Sequence, residues 1–320
     1  MLVFALDPHQ RGFADQLALH LDTELAPHEE RAFEDGEATL RPLVDPCGAD
    51  AYVVLGLHAS PDASPRDQLC RLLFFIAALR DHGAARVSAV VPYFAFARKD
   101  RRTKPFDPVT LRYVAQLVEA VGAYQVIALE AHNEAAFQNA FRCPTVHLHG
   151  HAAFAALADE LHAAAPVVVA SPDGGGLKRA QAWQEDLAAR LKRPVGLAMV
   201  DKRRSEDRIE GGHFVAGDVD GAVVLLVDDL IATGATLQRA ALALRAAGAK
   251  RVLACAAHGL FVAPAAERLT DPAIDQVLVT DSVPGFRVPA TGALRDKLRV
   301  MSCVPLFAAA MRASHAAWMR

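Results

Sequence analysis

Short apolar runs alternating with longer amphipathic segments constrain this 320-residue chain more than any other feature. The runs AYVVLGL from Ala51, RVSAVVPYF from Arg86, YQVIAL from Tyr124, PVVVAS from Pro166, VGLAMV from Val195, AVVLLVDD from Ala222, RVLACAAH from Arg251 and DQVLVTDS from Asp275 are apolar on both faces. Strands of that kind sit between two layers of helix. The segments between them have helix signals. Ser64 and Pro65 open one helix, whose Leu69, Leu72, Leu73, Ile76 and Leu79 share a stripe and which Gly83 ends. Asp107 and Pro108 repeat that start ahead of Leu111, Val114, Val118 and Val121, and Ala180, Trp183, Leu187 and Leu191 line another face. Strand and helix in alternation imply an α/β fold with a mostly parallel sheet flanked by helices. An Ala-rich helix from Gly150 separates two groups of such units. It sets the expected domains at 1–150 and 151–300, with 301–320 as a C-terminal helical segment packing back on the body.

The formal net charge of −3 gives no electrostatic case for nucleic acid as the main partner. Hydrophobic residues make up 52% of the chain, enough for substantial cores. The five cysteines include no Cys-x-x-Cys pair, so neither a zinc site nor a disulfide framework is expected. LLFFIAAL from Leu72 is too short to span a bilayer, and Asp7 and Pro8 interrupt the N-terminus too early for a signal peptide. The expectation is a cytoplasmic protein with no membrane partner.

Chemistry concentrates in VVLLVDDLIATGATLQRAA, from Val223 to Ala241. A buried strand ending in Asp228 and Asp229 delivers two carboxylates to the carboxyl edge of a parallel sheet, where open α/β sheets bind ligands. Adjacent carboxylates repel, and persist beside a hydroxyl-rich or cationic partner such as ribose or Mg²⁺. Thr233, Gly234, Ala235 and Thr236 follow, small and hydroxylated, and open a helix. Backbone N–H groups there form a phosphate cradle. The stretch as a whole fits a sugar phosphate. A bare strand end, Asx turn and Thr-capped helix is the bland alternative.

The run resembles the phosphoribosyl-diphosphate (PRPP) loop of type I phosphoribosyltransferases, which also occurs in ribose-phosphate diphosphokinases. Other motifs, in order along the chain, separate the two groups. YFAFARKDRRTKPFDPVT, from Tyr93, leaves a strand and becomes strongly basic. It is similar to the diphosphokinase segment that touches ATP, which implies ATP contacts for Arg98, Lys99, Asp100 and Arg101. RAFEDGEATL resembles the same family's adenine motif. That match implies that Phe33 stacks on adenine while Asp35 and Glu37 read its polar edge, from a neighbouring subunit, hence a homo-oligomer. His132, just after a strand, matches the histidine that helps hold Mg²⁺–ATP. Asp173, ahead of three glycines in SPDGGGLKRA, matches a second metal or ribose contact. Lys202 and Arg204, in VDKRRSEDRIEGGHF, match the family's catalytic pair on a loop that closes over the reacting phosphates. Ala232 stands where the family loop usually carries Asp.

The resemblance implies two tandem phosphoribosyltransferase-like domains and diphosphoryl transfer from ATP to ribose 5-phosphate with Mg²⁺. A PRPP-using phosphoribosyltransferase would need only one such domain and a base-binding hood. A non-catalytic paralogue of the diphosphokinases is the other alternative.

Overall fold

Strands that are apolar on both faces need helices on both sides, and the chain is built that way. The computed structural model describes residues 1–161, 166–202 and 213–320. It forms two compact units. One comprises Met1–His149, Ser282–Pro284 and Cys303–Arg320, and the other Gly150–Asp281 and Gly285–Ser302. Among the described residues no helix is long and apolar enough to cross a membrane.

In the first unit β1 (Leu2–Ala5), β4 (Asp50–Val54), β5 (Arg86–Val91), β6 (Gln125–Leu129) and β7 (Thr145–Leu148) form one parallel sheet in that order. β2 (His28–Ala32) and β3 (Ala38–Pro42) form a separate antiparallel hairpin. The helices are α1 (Arg11–Leu21), α2 (Pro65–Asp81), α3 (Thr110–Ala120) and α4 (Glu134–Ala140). Helix α2 starts where Ser64 and Pro65 direct it. Ser64 Oγ accepts from Asp67 N at 3.3 Å and Asp67 Oδ2 accepts from Ser64 N at 2.7 Å, a reciprocal cap.

The last helix, α10 (Val304–Trp318), belongs to this unit. Phe307 meets Phe13 of α1 edge-on, with ring centroids 5.7 Å apart. Buried polar groups of the sheet also hold α10. Asp50 takes two bonds from Arg86, at 2.5 and 2.8 Å, and pairs with His315 Nδ1 at 2.6 Å. Arg86 Nη2 and Gln125 Nε2 donate to Ser314 O and Oγ, and Tyr52 donates to Met311 O.

The second unit carries α5 (Leu157–Leu161), β8 (Val167–Ser171), α6 (Leu177–Leu191), β9 (Gly196–Lys202), β10 (His213–Ala216), β11 (Val223–Ile231), α7 (Ala235–Ala246), β12 (Arg251–Gly259), α8 (Ala265–Leu269), β13 (Gln276–Thr280), α9 (Ala293–Lys297) and β14 (Leu298–Met301). Its sheet runs β10-β9-β8-β11-β12-β13-β14, parallel except for the β9–β10 pair. Val224, Leu226, Val252 and Ala254 pack with α7, while Val223, Leu225, Val227 and Leu253 pack with Trp183 and Leu187 of α6. From β8 the chain winds to β9 and β10 in one direction. From β11 it winds to β12, β13 and β14 in the other. The reversal lies between β8 and β11, where an open α/β sheet leaves a crevice beyond its carboxyl ends.

The structure departs from the sequence expectations at several places. Strand β11 does not end at Asp229 but pairs with β12 as far as Ile231. Helix α3 starts at Thr110 with Val109 as N-cap, so Asp107 is not its cap. The Ala-rich segment is not one helix: residues 150–154 make a 3₁₀ turn before the short α5. Strands β1, β2, β3, β7, β10 and β14 lie outside the expected runs: β1, β7, β10 and β14 have only four residues each, and β2 and β3 are largely exposed, so none gives a long run apolar on both faces.

Candidate active site

The carboxyl ends of β8 and β11 carry Asp173, Asp228, Asp229 and the Thr233–Thr236 turn of the second unit's predicted residues. Ala170 pairs with Leu226, so the residues just beyond leave the sheet side by side. From β11 come Asp228, half-buried, and Asp229, 5% exposed. Asp229 N donates to Asp228 Oδ1 at 2.9 Å. Burial, and then the charge of Asp229, push the Asp228 carboxyl up to about 8, and Arg179 offsets only part of this. Two carboxylates held together in this way suit a cation or hydroxyl donors, so the residues fit a divalent ion or a ribose.

Helix α7 follows at once. Gly234 is its N-cap, with φ +74 and no side-chain cap bond, so the first turn presents backbone N–H groups. A Cβ at Gly234 would stand 3.2 Å from Leu269 Cγ. Thr233 and Thr236 flank it, both half-buried, and Arg268 Nη1 donates to Thr233 O at 3.2 Å. From β8, Asp173 caps a 3₁₀ turn of glycines. Its Oδ1 accepts from Gly175 N at 2.9 Å and Gly176 N at 3.2 Å, and Ser171 Oγ donates to its carbonyl at 2.6 Å. A Cβ at Gly176 would lie 2.7 Å from Ser171 Oγ, so a larger residue there would push the Ser171 hydroxyl off the Asp173 carbonyl. Lys202 is the last residue of β9, in register with His213, and Arg204 lies outside the described residues.

Sequence reasoning missed Arg179 and Arg268. Arg179 Nη1 stands 3.9 Å from Asp228 Oδ1. It lies in the first turn of α6, where a cation opposes the helix dipole, and that misfit was a readable signal. Arg268 had no such signal, because only the fold carries α8 to the α7 loop.

In the first unit, neighbouring strands β5 and β6 project the predicted cations and histidine from adjacent carboxyl ends. After β5, Tyr93, Phe94 and Ala95 remain buried, with Phe94 against Phe137 and Phe141. Arg98 and Arg101 are exposed, and Lys99 and Asp100 are half-buried. After β6, Glu130 takes a left-handed conformation (φ +40) while 7% exposed, and His132 emerges exposed two residues later. Asn133 Nδ2 donates to Asp100 Oδ2 at 2.9 Å, which joins the two segments. Phe33, Asp35 and Glu37 occupy the turn of the β2–β3 hairpin, where Glu37 N donates to Asp35 Oδ1 at 3.1 Å. Phe33 is 44% exposed, with the Arg31 guanidinium 5.3 Å from its ring centroid.

Glu134, His147 and His149 also bring one ligand atom each within 4.8 Å of one another. Ala131 N donates to His147 Nε2 at 3.0 Å, so the neutral ring carries its proton on Nδ1. That atom faces Glu134 Oε1 at 3.6 Å, and the arrangement serves the turn before His132 better than a metal.

Comparisons with known proteins agree with this layout. The sequence profile for the N-terminal domain of ribose phosphate pyrophosphokinase matches residues 1–122, and that for the phosphoribosyl transferase domain residues 147–286. A ribose-phosphate pyrophosphokinase of Caldanaerobacter subterraneus subsp. tengcongensis is 38% identical over 302 residues, covering 94% of this chain and 91% of that protein. One from Listeria ivanovii is 33% identical over 314 residues, covering 98% and 93%. The crystal structure of phosphoribosylpyrophosphate synthetase from Mycobacterium smegmatis superimposes with a TM-score of 0.86 at 31% identity, over 98% of each chain. The two sheets are accordingly tandem phosphoribosyltransferase-type folds, and the chain belongs to the ribose-phosphate pyrophosphokinase family, whose members are transferases that make PRPP.

Proposed function

We propose that the chain transfers the β,γ-diphosphoryl group of ATP to the 1-hydroxyl of ribose 5-phosphate, giving PRPP and AMP. The observation that carries this is the crevice between β8 and β11. A carboxylate pair, half-buried at Asp228 and buried at Asp229, and an uncapped, glycine-opened helix lie next to each other there. Asp228 and Asp229 take the ribose 2- and 3-hydroxyls, and the 5-phosphate sits on residues 233–236. The ribose 1-oxygen attacks the β-phosphorus, its proton is lost, and the bond to the bridging α,β-oxygen breaks so that AMP leaves. Positioning and charge stabilisation supply most of the rate in such transfers.

Arg98 and Arg101 hold the ATP phosphates, and Lys202 and Arg204 act on the transferring group. Mg²⁺, for which His132 and Asp173 are the proposed ligands, would offset phosphate charge when bound. Phe33, Asp35 and Glu37 take adenine from a neighbouring copy, so the working form is a homo-oligomer. Ala232, beside the phosphate loop, favours a second reading, a non-catalytic paralogue that binds the nucleotide. Phosphorus NMR of Mg²⁺–ATP with ribose 5-phosphate tests the two. Equal amounts of PRPP and AMP without ADP support transfer, and unchanged ATP in the presence of bound nucleotide supports the paralogue.

A further inference from the structure

One carboxylate oxygen organises the cationic loop after β5. Asp107 Oδ2 accepts from Lys99 Nζ at 2.5 Å, Thr103 Oγ1 at 2.7 Å, Thr103 N at 3.0 Å and Lys104 N at 3.0 Å. Lys99 Nζ also donates to Thr103 Oγ1 at 3.0 Å, so ammonium, hydroxyl and carboxylate close a ring. The backbone follows the same plan. Arg102 Nε donates to Asp107 O at 3.3 Å, and Leu111 N donates to Lys99 O at 3.3 Å.

Two local preferences are overridden to make this possible. Asp followed by Pro is a helix start, yet Asp107 turns back into the loop and α3 begins at Thr110 without a side-chain cap. Phe106, directly before it, adopts φ +66, which non-glycine residues seldom do, and its side chain is fully exposed. Strained backbone and misplaced caps of this kind cluster where a segment must be held for function.

We propose that Asp107 is the positioning residue of this loop, and that Lys99 acts through Asp107 rather than on the nucleotide. This rests on the ATP-binding role proposed above for the loop. The Lys99 charge is matched within the loop. Arg98 and Arg101, exposed to either side of the Lys99–Asp100 pair, remain to meet phosphate. Asp100, bonded to Asn133, keeps the held loop in register with the segment that carries His132. The resemblance alone implied a direct ATP contact for Lys99, and the geometry points to a strut.

A double-mutant cycle tests this with Lys99→Ala, Asp107→Ala and the double variant. Binding of Mg²⁺–ATP is read by calorimetry, so the result does not depend on turnover. The Michaelis constants for ATP and ribose 5-phosphate are read alongside. Each single variant is expected to weaken ATP about tenfold, and the double to be no weaker than the worse single, as for groups in one network. The constant for ribose 5-phosphate should stay within about twofold, and Asp107→Asn should recover part of the loss because one acceptor remains. The loop is exposed, so thermal midpoints should match wild type to within a few degrees. Losses that multiply in the double variant would overturn the proposal, since Lys99 would then act on ATP by itself. Wild-type ATP binding by all three would overturn it too. Absence of ribose-dependent AMP in the wild type, with the cycle as expected, would instead sink the catalytic reading and leave the loop assignment standing.

Discussion

Asp228 Oδ1 accepts the backbone N–H of Asp229 at 2.9 Å, which fixes the Asp228 carboxyl beside the Asp229 charge at the mouth of the β8–β11 crevice. Burial raises the Asp228 carboxyl from its ordinary 3.8 to about 8. Between those values the folded chain keeps a proton that the unfolded chain has released, so stability falls as pH rises across that window. Metal-free protein should therefore melt progressively lower from about pH 4 to about pH 8 on this account. In Asp228→Asn the slope should flatten, and the midpoint at pH 8 should rise above wild type. Melting scans across pH without divalent ions check it.

Gly234 is left-handed and its missing Cβ faces Leu269. Gly234→Ala should cost about 1–2 kcal/mol of stability through strain. It should also raise the Michaelis constant for ribose 5-phosphate by about tenfold or more, because the phosphate site is backbone. The constant for ATP should hardly move. Steady-state kinetics with each substrate varied separates the two.

Arg179 stands 3.9 Å from Asp228, among the cations of the second unit that sequence motifs did not point to. Arg179→Met should lower kcat/KM for ribose 5-phosphate by about ten- to a hundredfold, the loss of one charged partner in a shielded site. Melting at pH 8 should drop as well, since the remaining carboxylates lose their offset.

Asp50 is fully buried between Arg86 and His315. Removing one partner of such a group leaves a buried charge unpaired, so Asp50→Ala should destabilise by about 3–5 kcal/mol. Denaturant unfolding should show the loss. The nucleotide affinity of the variant that remains folded should be unchanged, because the network ties α10 to the sheet, away from the β5 and β6 loops.

Much of the fold was legible because a buried parallel strand is a continuous apolar run and a helix beside it repeats every three to four residues. Val223 to Val227 and the stripe from Leu69 to Leu79 show both patterns. The hairpin carrying Phe33, Asp35 and Glu37 was not legible, since its strands are short and exposed and its pairing is with itself. Within the candidate site, Asp228, Asp229 and the Gly234 turn were readable from local chemistry. Arg268 and the Asp100–Asn133 bond were not, because they depend on which loops the topology brings together. Asp107 is the clearest local error. Its sequence context says helix cap, and the loop's demand for an acceptor wins.

AMP formation from Mg²⁺–ATP, with and without ribose 5-phosphate, separates diphosphoryl transfer at the carboxylate pair from nucleotide binding alone, comparing wild type with the Asp228→Asn, Asp229→Asn double variant. AMP is expected only when the sugar phosphate is present, falling by about two orders of magnitude or more in the variant. Nucleotide affinity should be kept. AMP that appears without ribose 5-phosphate, or that persists in the variant, would contradict transfer at that pair.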